Sequence, residues 1–271
     1  MSELLVADLT KRYHDAPALG PLDLAVGAGE RVTLVGHNGS GKTTLLRVLT
    51  GLLDPTSGEA TIGGHEPSSI EARSMVSYIA DRPVFYDDLS VWEHVEYVSR
   101  LHATDDWEQH GVDLLDELGL DDRIDDLPVT FSRGLQQRAA IAIALCRPFD
   151  VLFVDEPFVG LDRRGRHALL DRLDAAHAEG ATIVVATHDA EAIGRAHRLV
   201  VLRDGLLVHD GGADDIDLDA ALDRHAPAGP TTVEADEPAD PSDDGPDERG
   251  GDVADAHGDE PPRDDAADRA E

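Results

Sequence analysis

A glycine-rich segment that directly follows a short apolar run constrains the fold of this chain most strongly. The segment GHNGSGKTT spans residues 36–44; the run RVTLV (31–35) precedes it and the helical pattern TLLRVLTGLL follows. It matches G-x-x-x-x-G-K-[S/T] in the strand–loop–helix context that this pattern requires. Glycines allow successive backbone N–H groups to point at phosphate oxygens, and the start of a helix attracts anions. The sequence therefore predicts a phosphate-binding loop (P-loop) in an α/β protein.

The side chains of this loop have separate predicted roles. Lys42 places a positive charge at the β- and γ-phosphates of a nucleotide, and the Thr43 hydroxyl helps to hold Mg²⁺. The alternative, a glycine-rich turn with a chance lysine, is disfavoured by the strand and helix on either side, and the chain has only two lysines. The other residues predicted to contact the nucleotide are Gly36, His37, Asn38, Gly39, Ser40, Gly41 and Thr44.

Continuous apolar runs predict a parallel β-sheet with helices on both faces. Besides RVTLV, the runs are VLFVD (151–155) and TIVVAT (182–187), and such runs are typical of strands buried on both sides. The segment RLVVLRDGLLVHDG (198–211) alternates around Asp204–Gly205, which indicates a β-hairpin.

A helical pattern interrupts the strand-rich pattern between about residues 83 and 147. Ser90 and Glu93 have the spacing of a capping box at the start of one helix. We therefore expect one α/β domain over residues 1–222, with a helical insertion at about 83–147. Residues 223–271 are rich in Asp, Pro, Gly and Ala. They cannot bury enough apolar area to offset ordering entropy, which predicts a disordered acidic tail.

The chain is strongly acidic, with a formal net charge of −33. Residues 223–271 carry −13 of this charge, which leaves −20 on residues 1–222. An acidic surface repels phosphate backbones, so we expect no nucleic-acid partner. The excess of Asp over Lys resembles proteins of salt-loving (halophilic) organisms, in which high ionic strength screens self-repulsion. We expect low salt to destabilise the fold.

Cysteine content and apolar run length bear on the environment of the chain. The single cysteine, Cys146, excludes a disulfide within the chain and is expected in the core. The longest apolar run, AAIAIALC, is far shorter than the roughly 20 residues that span a bilayer. The segment MSELLVADLTKRY lacks the apolar core of a secretion signal. We expect a soluble protein that acts on membranes only through a partner.

Polar residues follow two of the predicted buried strands. In VLFVDEP, Asp155 is placed to bind Mg²⁺, and Glu156 is placed to act as general base on an attacking water. A solvated strand end would explain the acidic pair equally well, but the P-loop favours the catalytic interpretation. In THDA (187–190), His188 follows a third predicted strand. A lone histidine after a strand is more often structural than catalytic, but its place after a strand of the same sheet favours a role in the functional site.

The order of these motifs resembles the ATP-binding subunits of ABC (ATP-binding cassette) transporters over about residues 3–215. The resemblance implies an ABC ATPase fold of the P-loop NTPase class, with a parallel sheet, an antiparallel β subdomain and a helical insertion. It implies that GHNGSGKT is the Walker A loop and that Glu156 is the catalytic carboxylate of Walker B. It also implies a D-loop, VGLD, with Asp162 at the nucleotide, and it makes His188 the histidine that contacts the γ-phosphate. Tyr13 matches the aromatic residue that stacks on adenine; the alternative is a tyrosine on an edge strand.

The segment FSRGLQQR (131–138) occupies the place of the family signature, LSGGQ followed by QR. By this resemblance, the Ser132 hydroxyl and the Gly134 N–H bind the γ-phosphate held by an opposite subunit. Ser132 is also a candidate helix N-cap. The departures from the signature are Phe131, Arg133 and Leu135; Arg133 adds a cation near that phosphate, which should not weaken ATP binding.

A second departure lies in VSYIADRP (76–83), where Asp81 takes the place of the Q-loop glutamine. As a carboxylate, Asp81 could serve as a Mg²⁺ ligand or as a catalytic contact to the attacking water. A loop residue with no contact to either is the alternative.

The function implied by the resemblance is ATP hydrolysis that powers transport by a separate integral membrane permease. ATP and Mg²⁺ would be held in a homodimer, or in a heterodimer with a related cassette, on the cytoplasmic face of the cell membrane. The segments FSRGLQQR and DEPFVGLD look more like those of exporter-type subunits, and they are particularly similar to the haem-exporter subunits of cytochrome c maturation. The alternative is an ABC ATPase outside transport. Translation-type proteins carry two cassettes, DNA-repair types need a long coiled coil, and a non-hydrolysing module would lack Glu156 or His188.

Overall fold

The computed structural model describes residues 3–222, which form two β-sheets and the helices that cover them. The strands are β1 (Leu4–Tyr13), β2 (Ala16–Val26), β3 (Arg31–Val35), β4 (Ser57–Ile62), β5 (Val76–Ile79), β6 (Val151–Asp155), β7 (Thr182–Ala186), β8 (Arg198–Arg203) and β9 (Leu206–Gly211). The α-helices are α1 (Lys42–Leu49), α2 (Ile70–Met75), α3 (Val91–Leu101), α4 (Trp107–Glu117), α5 (Arg133–Leu145), α6 (Arg163–Ala178), α7 (Ala190–Gly194) and α8 (Leu218–Leu222).

The larger sheet has the strand order β5-β6-β7-β3-β8-β9 and is parallel except for β9. Every residue of β3, β6 and β7 is buried, as their continuous apolar runs predict. Strands β8 and β9 form the predicted hairpin. Both turn residues, Asp204 (φ 51°) and Gly205 (φ 83°), have the left-handed conformation that two-residue hairpin turns favour.

The smaller sheet is antiparallel, with the order β2-β1-β4. Helix α1 lies between the two sheets, because its leucines share one core cluster with residues of both. That cluster includes Leu4, Leu9, Leu22, Leu45, Leu46, Leu49, Ile62 and Phe153. The helix ends at Leu49, earlier than the pattern TLLRVLTGLL suggests, because Gly51, which follows the C-cap residue Thr50, has a φ of 67°, the left-handed conformation that ends helices.

Helices α3, α4 and α5 lie in the chain between β5 and β6 and pack in a second core cluster with α6. The predicted capping box of α3 is confirmed: the Ser90 hydroxyl accepts from the Glu93 N–H (3.2 Å), and the Glu93 carboxylate accepts from the Ser90 N–H (2.8 Å). Cys146 is fully buried in this cluster, as expected.

None of the helices within residues 3–222 is long and apolar enough to cross a membrane. The acidic tail predicted for residues 223–271 lies outside the described residues.

Candidate nucleotide-binding site

The P-loop connects the buried strand β3 to the start of α1, which begins at Lys42. Gly41 has a φ of 106°, and a Cβ there would collide with the side chain of Leu19. Lys42 is almost fully buried, and its Nζ donates to the carbonyl oxygen of Gly36 (2.7 Å). The lysine therefore folds back over the first residues of the loop.

A cavity of about 300 Å³ lies over this loop. Its lining residues are Ala18, Asn38, Gly39, Ser40, Gly41, Lys42, Thr43, Thr44, Asp81 and Glu156. The structure thus brings most of the predicted P-loop contacts together with Asp81 and Glu156, which come from the ends of two other strands. Sequence reasoning missed Ala18, because a small residue in a strand of another sheet carries no local signal.

Asp155 is the last residue of β6 and is fully buried. Within residues 3–222 neither of its carboxylate oxygens has a hydrogen-bond partner. Burial raises the pKa of Asp155, and the charges of Glu156 and Asp81 raise it further. The Thr43 hydroxyl and Lys42 oppose this shift; the hydroxyl lies close to Asp155 without completing a hydrogen bond. Burial and the charge of Asp155 also raise the pKa of Tyr78 on β5.

These unpaired oxygens fit a magnesium ion, because Mg²⁺ prefers hard oxygen ligands and the Thr43 hydroxyl lies beside them. Among the residues that the structure describes, no three His, Cys, Asp or Glu side chains are grouped to hold a metal by themselves. Mg²⁺ commonly takes one or two protein oxygens and completes its shell with phosphates and water. The site therefore suits an ion that arrives with a nucleotide.

Glu156 follows directly and has a φ of 44°, an uncommon conformation for a residue other than glycine. Its N–H donates to the carbonyl of Ala186 at the end of β7 (2.8 Å). The two carboxylate oxygens face different partners: Oε2 accepts from Nδ1 of His188 (2.9 Å), and Oε1 lies 3.6 Å from Nζ of Lys42. Strained backbone of this kind is typical of functional sites, and here it turns Glu156 toward the P-loop.

The signature segment begins helix α5, and Ser132 is its N-cap by position. No side-chain capping bond is formed at this helix start in the described part of the chain, so the predicted capping bond of Ser132 is absent. A Cβ at Gly134 would collide with the carbonyl oxygen of Gly160, which explains why glycine is needed there. Arg133 Nη2 lies 3.0 Å from Oδ1 of Asp81. Two of the four departures from the family pattern, Arg133 and Asp81, therefore contact each other, a contact that sequence reasoning missed.

Asp162 is the N-cap of α6 and is bound within its own chain. Its Oδ1 accepts from the N–H of Gly165 (2.8 Å) and from Nη2 of Arg138 (2.7 Å). The Gly165 N–H and Arg138 lower the pKa of Asp162. The predicted contact between Asp162 and a nucleotide stays a prediction.

Tyr13 ends β1 and is 43% exposed, with Nζ of Lys11 5.6 Å from its ring centre. Strand β1 is the central strand of its sheet, but its pairing with β4 ends at Thr10, so Tyr13 pairs only with Ala16 of β2. Stacking of Tyr13 on adenine stays a prediction. An exposed ring at the end of a strand leaves a face open for stacking.

Comparison with known proteins agrees with this geometry. The family model described as "ABC transporter" matches residues 19–159. A model described as "AAA domain, putative AbiEii toxin, Type IV TA system" matches residues 128–194. The SkfA peptide export ATP-binding protein SkfE of Bacillus subtilis is 33% identical over 213 residues, which cover 78% of this chain and 89% of that protein. A putative ABC transporter ATP-binding protein of Halobacterium salinarum is 36% identical over 219 residues, 79% of this chain and 94% of that protein.

A longer relative is the macrolide export ATP-binding/permease protein MacB of Rhodopseudomonas palustris, 36% identical over 77% of this chain. The chain spans about a third of the length of MacB, 34% in that match.

Solved structures show the same fold. One, described as an ATP-binding subunit of an ABC transporter, has a TM-score of 0.74 and 34% identity, and covers 82% of this chain and 95% of its own. Another is the dimeric post-hydrolysis state of the ATP-binding cassette MJ0796 bound to ADP and Pi, with a TM-score of 0.72 and 25% identity, covering 78% and 98%. The matched family model, the relatives and the shared fold together show that this chain belongs to the ABC transporter family, as an ATP-binding cassette.

Proposed function

We propose that this chain is the ATP-hydrolysing subunit of an ABC transporter, with Glu156 as general base. One observation carries the proposal: Glu156 lies between Lys42 and His188 at the cavity over the P-loop. Lys42 and the loop N–H groups would bind the phosphates. Glu156 would accept the proton of the attacking water, and His188, which bonds Oε2, would hold the carboxylate toward the γ-phosphate.

The proposed magnesium site consists of the Asp155 carboxylate and the Thr43 hydroxyl. Mg²⁺ would neutralise charge that develops on the phosphate oxygens. The buried carboxylate of Asp155 supports this magnesium site, because neither of its oxygens has a hydrogen-bond partner within residues 3–222. Asp81, a predicted third ligand or water contact, lies at the same cavity but pairs with Arg133.

We propose that two cassettes, of this chain or of this chain and a related one, bind ATP between them. Ser132 and Gly134 of one chain would contact the γ-phosphate on the other chain's P-loop. The start of α5 supports this contact with the γ-phosphate, because the N–H groups at the start of a helix attract anions. Within residues 3–222, the Ser132 side chain also makes no capping hydrogen bond to the N–H groups of α5. The dimeric cassette among the similar structures is a precedent.

The proposed partner is an integral membrane permease, which would place the chain on the cytoplasmic face of the cell membrane. Exposed apolar side chains in the loop after Asp81 and on α3 support a partner surface: Val84 is 94% exposed, and Tyr86 and Tyr97, whose rings contact each other, are about half exposed. Export is the favoured direction, because SkfE and MacB are named as export proteins; haem as substrate stays a prediction. The three helices between β5 and β6 are at most 13 residues long, unlike a coiled coil of DNA-repair proteins.

Replacing the base tests this function. We expect Glu156→Gln to lower ATP turnover by more than about 100-fold, because general-base catalysis typically contributes that much. ATP binding should persist, and the variant should accumulate as an ATP-bound dimer in size-exclusion chromatography. Adding Ser132→Arg to the same variant is the control, because it blocks the opposite phosphate contact and should return the protein to monomers. Normal turnover by Glu156→Gln would exclude Glu156 as the base.

A further inference from the structure

Two residues that depart from the family pattern, Asp81 and Arg133, form an ion pair with each other. Asp81 lies two residues after the end of β5, and Arg133 is the first residue of α5, 52 positions later. Their atoms Oδ1 and Nη2 are 3.0 Å apart, and the side chains are 33% and 59% exposed. Because neither residue type is the usual one at its place, the family pattern does not predict this contact.

The charge of the P-loop cavity gives the pair a consequence for nucleotide binding. Asp81 and Glu156 both line the cavity, and Asp155 lies buried close enough for the Asp81 charge to raise its pKa. Lys42 is the only basic residue among the residues that line this described cavity. A triphosphate that enters it brings several further negative charges, so an uncompensated carboxylate at position 81 would oppose binding. Arg133 supplies the missing positive charge from outside the lining.

The pair also connects two parts of the molecule. The start of α5 already contacts the loop after β6, through Arg138 with Asp162 (2.7 Å) and through the close approach of Gly134 to Gly160. The Arg133–Asp81 contact adds the loop after β5. Loss of this one contact leaves the other two in place, so α5 should stay folded without it.

We propose that Arg133 is a positioning and charge-compensating residue for its own chain's nucleotide site, which acts by neutralising Asp81. The two residues thus work as a unit in nucleotide binding: Asp81 is tolerated at the cavity because Arg133 is present. This inference rests on the proposed function, since it concerns the same nucleotide site. It differs from the role of Arg133 as a cation at the opposite subunit's phosphate, because that role would not require Asp81.

A double-mutant cycle on the full chain separates these roles. The dissociation constant of the Mg²⁺ complex of a non-hydrolysable ATP analogue is measured by calorimetry for the wild type, Arg133→Gln, Asp81→Asn and the double variant. Protein concentrations are kept in the range where sedimentation shows monomers. Salt is kept at the lowest concentration at which the wild-type circular dichroism spectrum is native, because salt screens exposed charges. Arg123→Gln is the matched control, since it removes a similarly exposed arginine that pairs with Asp126 (3.2 Å).

We expect Arg133→Gln to weaken binding about fivefold, the size expected for a partly exposed charge pair. The double variant should bind as tightly as Asp81→Asn alone, because Arg133 acts through Asp81, and Arg123→Gln should bind like the wild type. Equal binding by Arg133→Gln and Arg123→Gln would overturn the proposal, and so would a double variant as weak as Arg133→Gln. If the wild type itself binds no analogue, the proposed function fails; if it binds but the cycle shows no coupling, only the pairing fails.

Discussion

Asp155 and Glu156 are neighbours in sequence, but the surroundings of their carboxylates differ. Oε2 of Glu156 accepts a hydrogen bond from His188, and Oε1, which has no hydrogen bond in residues 3–222, lies 3.6 Å from the charged Nζ of Lys42. Asp155 is fully buried, and in residues 3–222 its oxygens have no hydrogen-bond partner. A buried, unpaired carboxylate destabilises a fold unless a ligand completes its contacts. Asp155 is therefore positioned for a cation at the expense of the stability of the nucleotide-free chain.

Removing this charge should stabilise the nucleotide-free protein. Because burial raises the pKa of Asp155 in the folded state, the folded chain binds this proton more tightly than the unfolded chain. The ionised carboxylate therefore destabilises the fold at neutral pH, and the loss is recovered as the pH falls through the raised pKa. We expect Asp155→Asn to raise the free energy of unfolding by about 1–3 kcal/mol without nucleotide.

Urea denaturation at neutral pH measures this change. Adding ATP with Mg²⁺ should stabilise the wild type well beyond ATP alone, whereas Asp155→Asn should lose that additional effect. The exposed Asp121→Asn serves as the control and should behave like the wild type. If nucleotide-free Asp155→Asn is less stable than the nucleotide-free wild type, the assignment of Asp155 as a destabilising buried carboxylate positioned for a cation is contradicted.

At the scale of elements, the start of α3 ties the helical insertion to the loop that carries Asp81. The capping box of Ser90 and Glu93 satisfies two N–H groups at this helix start. One turn later, the buried His94 has its Nδ1 2.8 Å from the carbonyl of Ser90, and its Nε2 accepts from the N–H of Tyr86 (3.0 Å). The sequence predicted the capping box because both partners lie three residues apart. It did not predict the Tyr86 contact, which depends on how the loop folds back over α3.

The capping box should contribute measurably to stability. We expect Ser90→Ala to lower the free energy of unfolding by about 1 kcal/mol, the typical value of a lost N-cap bond. Glu93→Gln is the matched control, since glutamine can also complete a capping box, and it should change stability little. Urea denaturation of both variants checks this, and a Ser90→Ala variant as stable as Glu93→Gln would show that other contacts determine the helix start.

At the scale of the whole molecule, the main feature is the large negative net charge. Residues 1–222 alone carry −20, and many arginines are already held by carboxylates: Arg198 bonds Glu30 and Asp210, and these two carboxylates raise its pKa. Such pairs leave a large excess of negative charge at the surface. One relative comes from Halobacterium salinarum, which agrees with the halophilic character expected from composition.

We predict that the thermal midpoint rises with salt, because raising ionic strength from about 0.15 to about 1 M shortens the screening length from about 8 to about 3 Å. Tm is measured by circular dichroism in KCl, with sucrose as a control that stabilises without screening charge.

We propose that residues 1–222 are the ATP-binding domain and 223–271 a separate tail. A chain that ends at Leu222 should therefore keep its salt dependence and its ATPase activity at high salt. Loss of folding on truncation would show that the tail is part of the domain.

The sequence by itself determined the features whose partners are close in the chain. The P-loop after β3, the acidic pair after β6, the hairpin at Asp204–Gly205 and the capping box of α3 could all be read from local spacing. Each depends on backbone geometry over a few residues, and an apolar run long enough to be buried identifies its strand.

Only the tertiary structure decided which of these features meet. The order β5-β6-β7-β3 brings Asp81, Glu156 and His188 to one edge of the sheet around Lys42. The same arrangement joins Arg133 to Asp81 across 52 residues. Local patterns specify strands and helices but not their lateral order, which is set by packing over the whole core. The charges that face one another at the site follow from that packing.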